Sequence, residues 1–135
     1  MIGIWSDHTA TFLCVLGWLV ALGAGVPIAF FPRFWARRLG WDVSGDLHLV
    51  HYLARCLGGF ILALSWLMIR AAALPQTIPI VFEFMLILWT VMLLIHVWGA
   101  LTRAQPLVET LEIGVWLVVI GLTLAFWPVS AGLAG

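Results

Sequence analysis

The stretch that decides the fold runs from Leu49 to Ala73 and reads LVHYLARCLGGFILALSWLMIRAAA. As a helix rising about 1.5 Å per residue, it is long enough to cross the hydrocarbon core of a bilayer, which is about 30 Å thick. His48, His51 and Arg55 are spaced so that they share one face of that helix. A guanidinium at that depth is costly unless it is paired or reaches the interface. The stretch therefore predicts a membrane span in which Arg55 needs a partner.

The composition of the whole chain is that of a membrane protein. Of its 135 residues, 64% are hydrophobic and 9% are charged, and the mean hydropathy is +1.16. A soluble domain is about half apolar and about a quarter charged, and a domain of this size leaves much of its surface exposed. Lipid must therefore surround most of this chain, and its length accommodates four spans with short connections.

The apolar runs predict an all-α fold, an integral membrane four-helix bundle. One domain covers 1–135, with spans at about 9–31, 49–73, 80–101 and 107–127. An alternative with three spans, in which the first or fourth helix lies flat on the membrane, stays open. No positively charged segment precedes the first apolar run, so that run is predicted to be a retained span and not a cleaved signal peptide. Pro32 is expected to end it, and Asp46 to cap the second helix.

The arginines predict the orientation of the spans. The first and third connections contain Arg33, Arg37, Arg38 and Arg103. The other surface has Arg70 alone. Because basic residues favour the cytoplasmic side of a membrane, the helices are predicted to run up-down-up-down, with both termini on the non-cytoplasmic side. The expected location is the bacterial inner (cytoplasmic) membrane.

Small residues predict where the helices pack closely. Gly17, Ala21 and Gly25 recur every four residues in the first span, and Gly58 and Gly59 are adjacent in the second. Small side chains allow the backbones of neighbouring helices to approach each other in a membrane. These five residues are therefore predicted to be packing positions.

Polar residues on three spans are predicted to meet at one depth. Counted from the cytoplasmic ends of their spans, Arg55, His96 and Glu112 lie equally deep, with Glu109 and His51 about one turn nearer the surface. Residues of this kind face the interior of a bundle, because lipid offers them no partner. One interpretation is an Arg55–Glu112 ion pair that fixes helix register, whose disruption would cost about 3–5 kcal/mol. Others are a polar pocket that binds a ligand, and a proton-transfer site.

Candidate cofactors follow from the histidines and aromatic residues. His48 and His51 form an HxxH pair without further ligands at fixed spacing, so no metal site is predicted. His96 would suit haem or a chlorin as an axial ligand. A second haem ligand from His51 is disfavoured, because His51 is about one turn shallower. The tryptophans within the spans could also form aromatic walls for a quinone.

The chain resembles a known group of membrane proteins in the sequence LARCLGG, Leu53 to Gly59, which opens the second span. Together with a short polar turn before an acidic fourth span, it is similar to the small four-helix bacterial membrane proteins grouped as DoxX-like. The resemblance implies a membrane bundle that is often accessory to a redox or transport process. It supplies no catalytic residues.

Three functions are compatible with these features, and an enzyme is not favoured because the chain has no complete catalytic set. The leading hypothesis is a non-catalytic accessory or assembly subunit of a larger respiratory or photosynthetic membrane complex. Its partners would be lipids and other integral membrane subunits, or a second copy of the chain. The alternatives are a protein that binds a quinone, haem, pigment or lipid, and a minimal transporter or proton-linked enzyme. Six basic residues balance six acidic ones, so nucleic acid is not an expected partner.

Overall fold

Four long helices form the computed structural model, which describes residues 2–44 and 48–129. The helices that are long and apolar enough to cross a membrane are Ser6–Phe30, His48–Ala72, Pro75–Leu101 and Leu107–Ala125. The predicted all-helical fold is confirmed, four of its helices are long and apolar enough to cross a membrane, and the described residues contain no strand. By length and composition the chain is an integral membrane protein. Asp46, which was expected to cap the second helix, lies outside the described residues.

The α-helices, in chain order, are α1 (Thr9–Val20), α2 (Val26–Phe30), α3 (Pro32–Arg38), α4 (His48–Ala72), α5 (Ile78–Leu101) and α6 (Leu107–Ala125). A π-helical turn, Ala21–Gly25, joins α1 to α2 in one continuous span. Phe31 leaves the helical conformation with a φ of −129°, and Pro32 then begins α3. Proline cannot continue the hydrogen bonding of a preceding helix, but it suits the first position of a new one. The first span therefore ends where the prolines predict.

The first span packs against α4 through glycine. A Cβ atom on Gly17 would lie 3.0 Å from the Ser65 carbonyl oxygen, and a Cβ on Gly25 would lie 2.8 Å from Leu62. Further along, a Cβ on Gly58 would overlap the backbone of Ala29. Residue numbers rise along one helix as they fall along the other, so the two helices are antiparallel.

The five predicted packing residues do not all pack. Gly17, Ala21, Gly25 and Gly58 are buried. A Cβ on Gly59 would meet no atom within 4 Å. Adjacent residues in a helix point about 100° apart, so only one of the two neighbouring glycines can face the first span.

The hydrophobic core lies toward one end of the molecule, here named the Pro75 end, which contains 73–77 and 126–129. The core residues are Leu13, Met68, Ala71, Ile78, Val81, Phe82, Met85 and Trp89. The N-terminal segment closes this end, because Gly3 and Trp5 donate backbone hydrogen bonds to the carbonyls of Leu124 and Ala125, both at 2.9 Å. The Thr9 hydroxyl donates to the carbonyl of Phe126 at 2.8 Å. The first and last spans are thereby joined.

The opposite end, here named the His96 end, contains residues 31–44 of the first connection and the connection 102–106. Its short helix α3 carries three arginines, and the Arg38 guanidinium lies over the ring of Phe34, 5.2 Å from its centroid. Cation–π contacts of this kind are weakly stabilising where they are exposed. After α3, the backbone N–H of Ser44 donates to Asp42 Oδ1 at 2.9 Å. Hydrogen bonds from Ser44 hold the pKa of the Asp42 carboxyl below its ordinary value.

The contrast between Gly58 and Gly59 yields a stability prediction. We expect Gly58→Ala to destabilise the fold by about 1–3 kcal/mol, because its methyl group would force the backbones of α2 and α4 apart. Gly59→Ala, its matched control, should be neutral or stabilising by up to about 1 kcal/mol, since alanine favours helix and the site is open. Unfolding titrations in mixed micelles would measure both. Equal effects of the two substitutions would contradict the proposed close approach.

Candidate functional site

Three ionisable side chains from two helices meet near the His96 end. His96 lies on α5, and Glu109 and Glu112 lie on α6. His96 Nε2 is 3.2 Å from Glu109 Oε2 and 3.5 Å from Glu112 Oε2. The two glutamates are three residues apart, so they share one face of α6. That face is turned toward α5, its packing partner. These three residues are named the His96 cluster.

The histidine at the centre of the cluster is held in one orientation. Its relative exposure is only 6%, and its Nδ1 is 2.8 Å from the carbonyl oxygen of Met92. A carbonyl oxygen only accepts hydrogen bonds, so Nδ1 carries the proton in this contact. When the ring is neutral, Nε2 therefore presents its lone pair to the two carboxylates.

Both connections at this end support the cluster. From the first connection, the indole N–H of Trp41 donates to Glu109 Oε1 at 2.8 Å. In the second connection, Gln105 Nε2 lies 3.1 Å from the carbonyl oxygen of His96 and 3.2 Å from Thr110 Oγ1. The position of Gln105 between α5 and the start of α6 fixes how the two helices face each other. The site thus depends on residues outside the spans as well as within them.

The charges of the cluster do not balance. Two carboxylates face a single imidazole, which carries at most one positive charge. Within residues 2–44 and 48–129, no arginine lies within 4.0 Å of either carboxylate. An ionised group in such a place is expensive without a counter-charge. Bound protons or a positively charged occupant would neutralise the excess negative charge of the cluster.

Two of the residues predicted for this site lie elsewhere. Arg55 is exposed on α4, and in the described part of the chain it forms no ion pair with Glu112. His51 accepts a hydrogen bond from Arg33 Nε at 3.0 Å. The reason is the pairing of the helices, because α4 packs mainly on the first span, while α6 packs on α5. The structure therefore brings together His96, Glu109 and Glu112 but leaves Arg55 and His51 outside the cluster.

Two tryptophans extend the site into the membrane span. The Trp116 ring is 5.4 Å from the His96 ring and 5.7 Å from the Trp89 ring, measured between centroids. Both indole N–H groups are buried and have no hydrogen-bond acceptor among the described residues. An unsatisfied buried donor costs about 1–3 kcal/mol. The pair therefore places two buried donors without an acceptor in the described chain next to the His96 cluster.

The donor atoms of the His96 cluster could also hold a metal ion. One ligand atom from each of its three residues lies within 4.8 Å of the others. The sequence predicts no metal site, because its HxxH pair lacks further ligands at fixed spacing. The signal that could have revealed it is Glu-x-x-Glu at the start of one span and a histidine near the end of the span before it. Trp41 and Gln105 are not among the predicted site residues, and the tryptophans within the spans, which include Trp89 and Trp116, are predicted only as aromatic walls for a ligand.

Comparison of the chain with protein-family models, with curated proteins and with solved structures finds no match. The resemblance to DoxX-like proteins therefore stays a prediction. The geometry of the His96 cluster and its surroundings is the evidence that bears on function.

Proposed function

We propose that this protein is an integral membrane protein that binds a small ligand between α5 and α6, at the His96 cluster. The observation that carries this proposal is the meeting of His96, Glu109 and Glu112 without an arginine partner within the described residues. Ionisable residues inside a membrane protein mark functional sites more often than they stabilise the fold. A site with unbalanced charge and fixed donor atoms is suited to binding.

A purely structural role for the cluster is less well supported. A buried ion pair that fixes helix register needs charges of opposite sign and good geometry. Here Glu112 Oε2 is 3.5 Å from His96 Nε2, whereas a strong charge-assisted hydrogen bond spans about 2.7–2.9 Å. Glu112 also keeps 29% of its side-chain surface exposed. The second carboxylate is therefore available to an occupant.

The surroundings indicate what kind of molecule the deeper part of the site would accept. The indole N–H groups of Trp89 and Trp116 could donate to carbonyl or phenolate oxygens. Trp89 precedes His96 by seven residues on α5, which places it roughly 10 Å further along the helix. A quinone, a pigment or a lipid with a polar head would present its acceptors over such a distance. Haem held by two histidines is not favoured, because His51 hydrogen-bonds to Arg33.

This proposal predicts an occupant that depends on the cluster. The wild-type chain and His96→Ala, Glu112→Gln, Glu83→Gln and Arg55→Met would be purified in mild detergent. Absorption spectra, elemental analysis and mass spectrometry of an organic extract would then be compared. We expect an occupant near one per chain in the wild type and at least about tenfold less in the two cluster variants, since each loses a group that contacts it.

Glu83→Gln and Arg55→Met serve as matched controls for that experiment. Both residues are charged and exposed on spans, and in the described residues neither contacts the cluster. Both variants should therefore retain the wild-type amount of occupant. Equal occupancy in all five proteins, or none in any of them, would contradict ligand binding at this site.

A second function, that of an accessory subunit in a larger respiratory or photosynthetic complex, is favoured by the outer face of α6. This helix has little of its surface buried within the chain. Gly114 and Gly121 lie on it two turns apart, and a Cβ on either would meet nothing within 4 Å. Glycines on an exposed helix surface allow the backbone of another helix to approach closely. An accessory role also agrees with the resemblance to DoxX-like proteins.

The accessory role predicts partners that depend on these glycines. We expect native purification to recover stoichiometric membrane subunits with the wild-type chain, and Gly114→Leu or Gly121→Leu to remove most of them. Neither substitution should unfold the chain, because both sites are open. Gly59→Leu, at another open glycine but on α4, is the control and should retain the partners. A single free species from native membranes would contradict this role.

We further propose that the protein lies in the cytoplasmic membrane of a bacterium. Both termini would be on the non-cytoplasmic side, and the His96 end would face the cytoplasm. The arginines of α3 and Arg103 all belong to that end, which agrees with the positive-inside rule. In a chain without Cys14 and Cys56, an impermeant maleimide added to intact cells should label Gln76→Cys and spare Ser44→Cys. The reverse pattern would contradict this orientation.

A further inference from the structure

We infer that the occupant of the His96 cluster is a first-row divalent transition-metal ion, held by His96 Nε2 and by one oxygen each from Glu109 and Glu112. This inference rests on the proposed function and names the ligand class for the same site. It begins from the three donor atoms, which lie within 4.8 Å of one another. His96 lies in the last turns of α5, and Glu109 and Glu112 lie in the first turns of α6, which runs antiparallel to it.

The spacing of the donors from His96 Nε2 is compatible with coordination of one metal ion. Two ligands at about 2.0–2.2 Å from a tetrahedral ion lie about 3.3–3.6 Å apart. The measured distances from His96 Nε2 are 3.2 Å to Glu109 and 3.5 Å to Glu112. In a hydrogen bond between a protonated imidazole and a carboxylate, the nitrogen and oxygen would be about 2.7–2.9 Å apart. Both separations from His96 Nε2 are therefore close to the distance between two ligands of one ion.

The orientation of the histidine agrees with this assignment. In metal sites, a ligating histidine donates its second ring N–H to a carbonyl or carboxylate, which fixes the tautomer and turns the other nitrogen to the metal. His96 makes such a bond from Nδ1 to the carbonyl of Met92, at 2.8 Å. Glu109 is supported in the same way, because Trp41 donates to Oε1 and leaves Oε2 for the ion.

Charge selects the valence of the ion. A neutral imidazole with two ionised carboxylates carries two negative charges, and no arginine in the described ranges lies close enough to offset them. A divalent cation brings the sum to zero. Protonation of both carboxylates would also do so, and the metal titration below distinguishes the two.

The mixed donor set selects the class of metal. Imidazole nitrogen suits zinc, iron, nickel and copper, whereas calcium and magnesium favour sites made of oxygen ligands alone. Three protein ligands also leave a fourth position for water or another molecule, as in catalytic zinc sites. The exposed part of Glu112 places that position toward the open side of the cluster.

The test uses the full chain in detergent, purified with a tag that contains no histidine. The protein would be treated with a chelator, dialysed, and titrated with Co²⁺, whose visible absorption reports tetrahedral coordination, and then with Zn²⁺ in competition with a chromophoric chelator. We expect one Co²⁺ per chain with visible bands that Zn²⁺ abolishes, and thermal stabilisation by Zn²⁺ that the chelator reverses.

The variants assign the binding to these residues. Glu109→Gln and Glu112→Gln keep the side-chain shape, and each should weaken Zn²⁺ binding by about 100-fold or more, because each removes a ligand. Trp41→Phe should weaken it by about tenfold, since it removes the hydrogen bond that orients Glu109. His51→Gln and Glu83→Gln, which lie outside the cluster, should bind Zn²⁺ as the wild type does.

The outcomes separate this inference from the proposed function. No Co²⁺ bands in the wild type, or equal Zn²⁺ affinity in the wild type and the two glutamine variants, would overturn the metal assignment. If an organic occupant is nevertheless lost on His96→Ala, the proposed ligand site stands without the metal. If no occupant of either kind is found, both fail. Because the wild-type titration decides the first outcome, a variant that fails to fold does not prevent the test.

Discussion

A polar group that enters a membrane is costly unless it finds a partner, and this constraint shapes both the helices and the site. Hydroxyl groups within the spans satisfy it locally, by donating to the carbonyl four residues earlier. Ser65, Thr90 and Thr123 all do so, at 2.7–2.8 Å. An ionised carboxylate cannot, because it only accepts hydrogen bonds. Glu109 therefore receives the indole N–H of Trp41 and faces His96 on the neighbouring helix.

The spans were predictable from sequence because their length and hydropathy are set by the bilayer and not by packing. The end of the first span at Pro32 was predictable from local backbone chemistry, since proline cannot continue a helix. The π-helical turn Ala21–Gly25 was not predicted. Its residues form an ordinary small-residue stripe in the sequence, and the wider turn becomes apparent only once α4 lies against it.

The site was predicted in part. Depth along a helix can be counted in residues, and the count placed His96 and Glu112 at one level, where the structure brings them together. The same count placed Arg55 beside them, but depth does not determine which helices are neighbours. Because α4 packs on the first span, Arg55 is left on an exposed face. The contact of Trp41 with Glu109 is not predictable from sequence for a similar reason, since a connection between spans has no periodicity that indicates where it folds back.

The hydrogen bond between Trp41 and Glu109 has a consequence for how the membrane interior communicates with the aqueous phase. It ties a carboxylate at the start of α6 to the connection that follows α3, outside the spans. Any displacement of that carboxylate must either draw the connection along or break its hold on the indole. A rearrangement of the connection after α3 would therefore reach Glu109 first, through this one hydrogen bond.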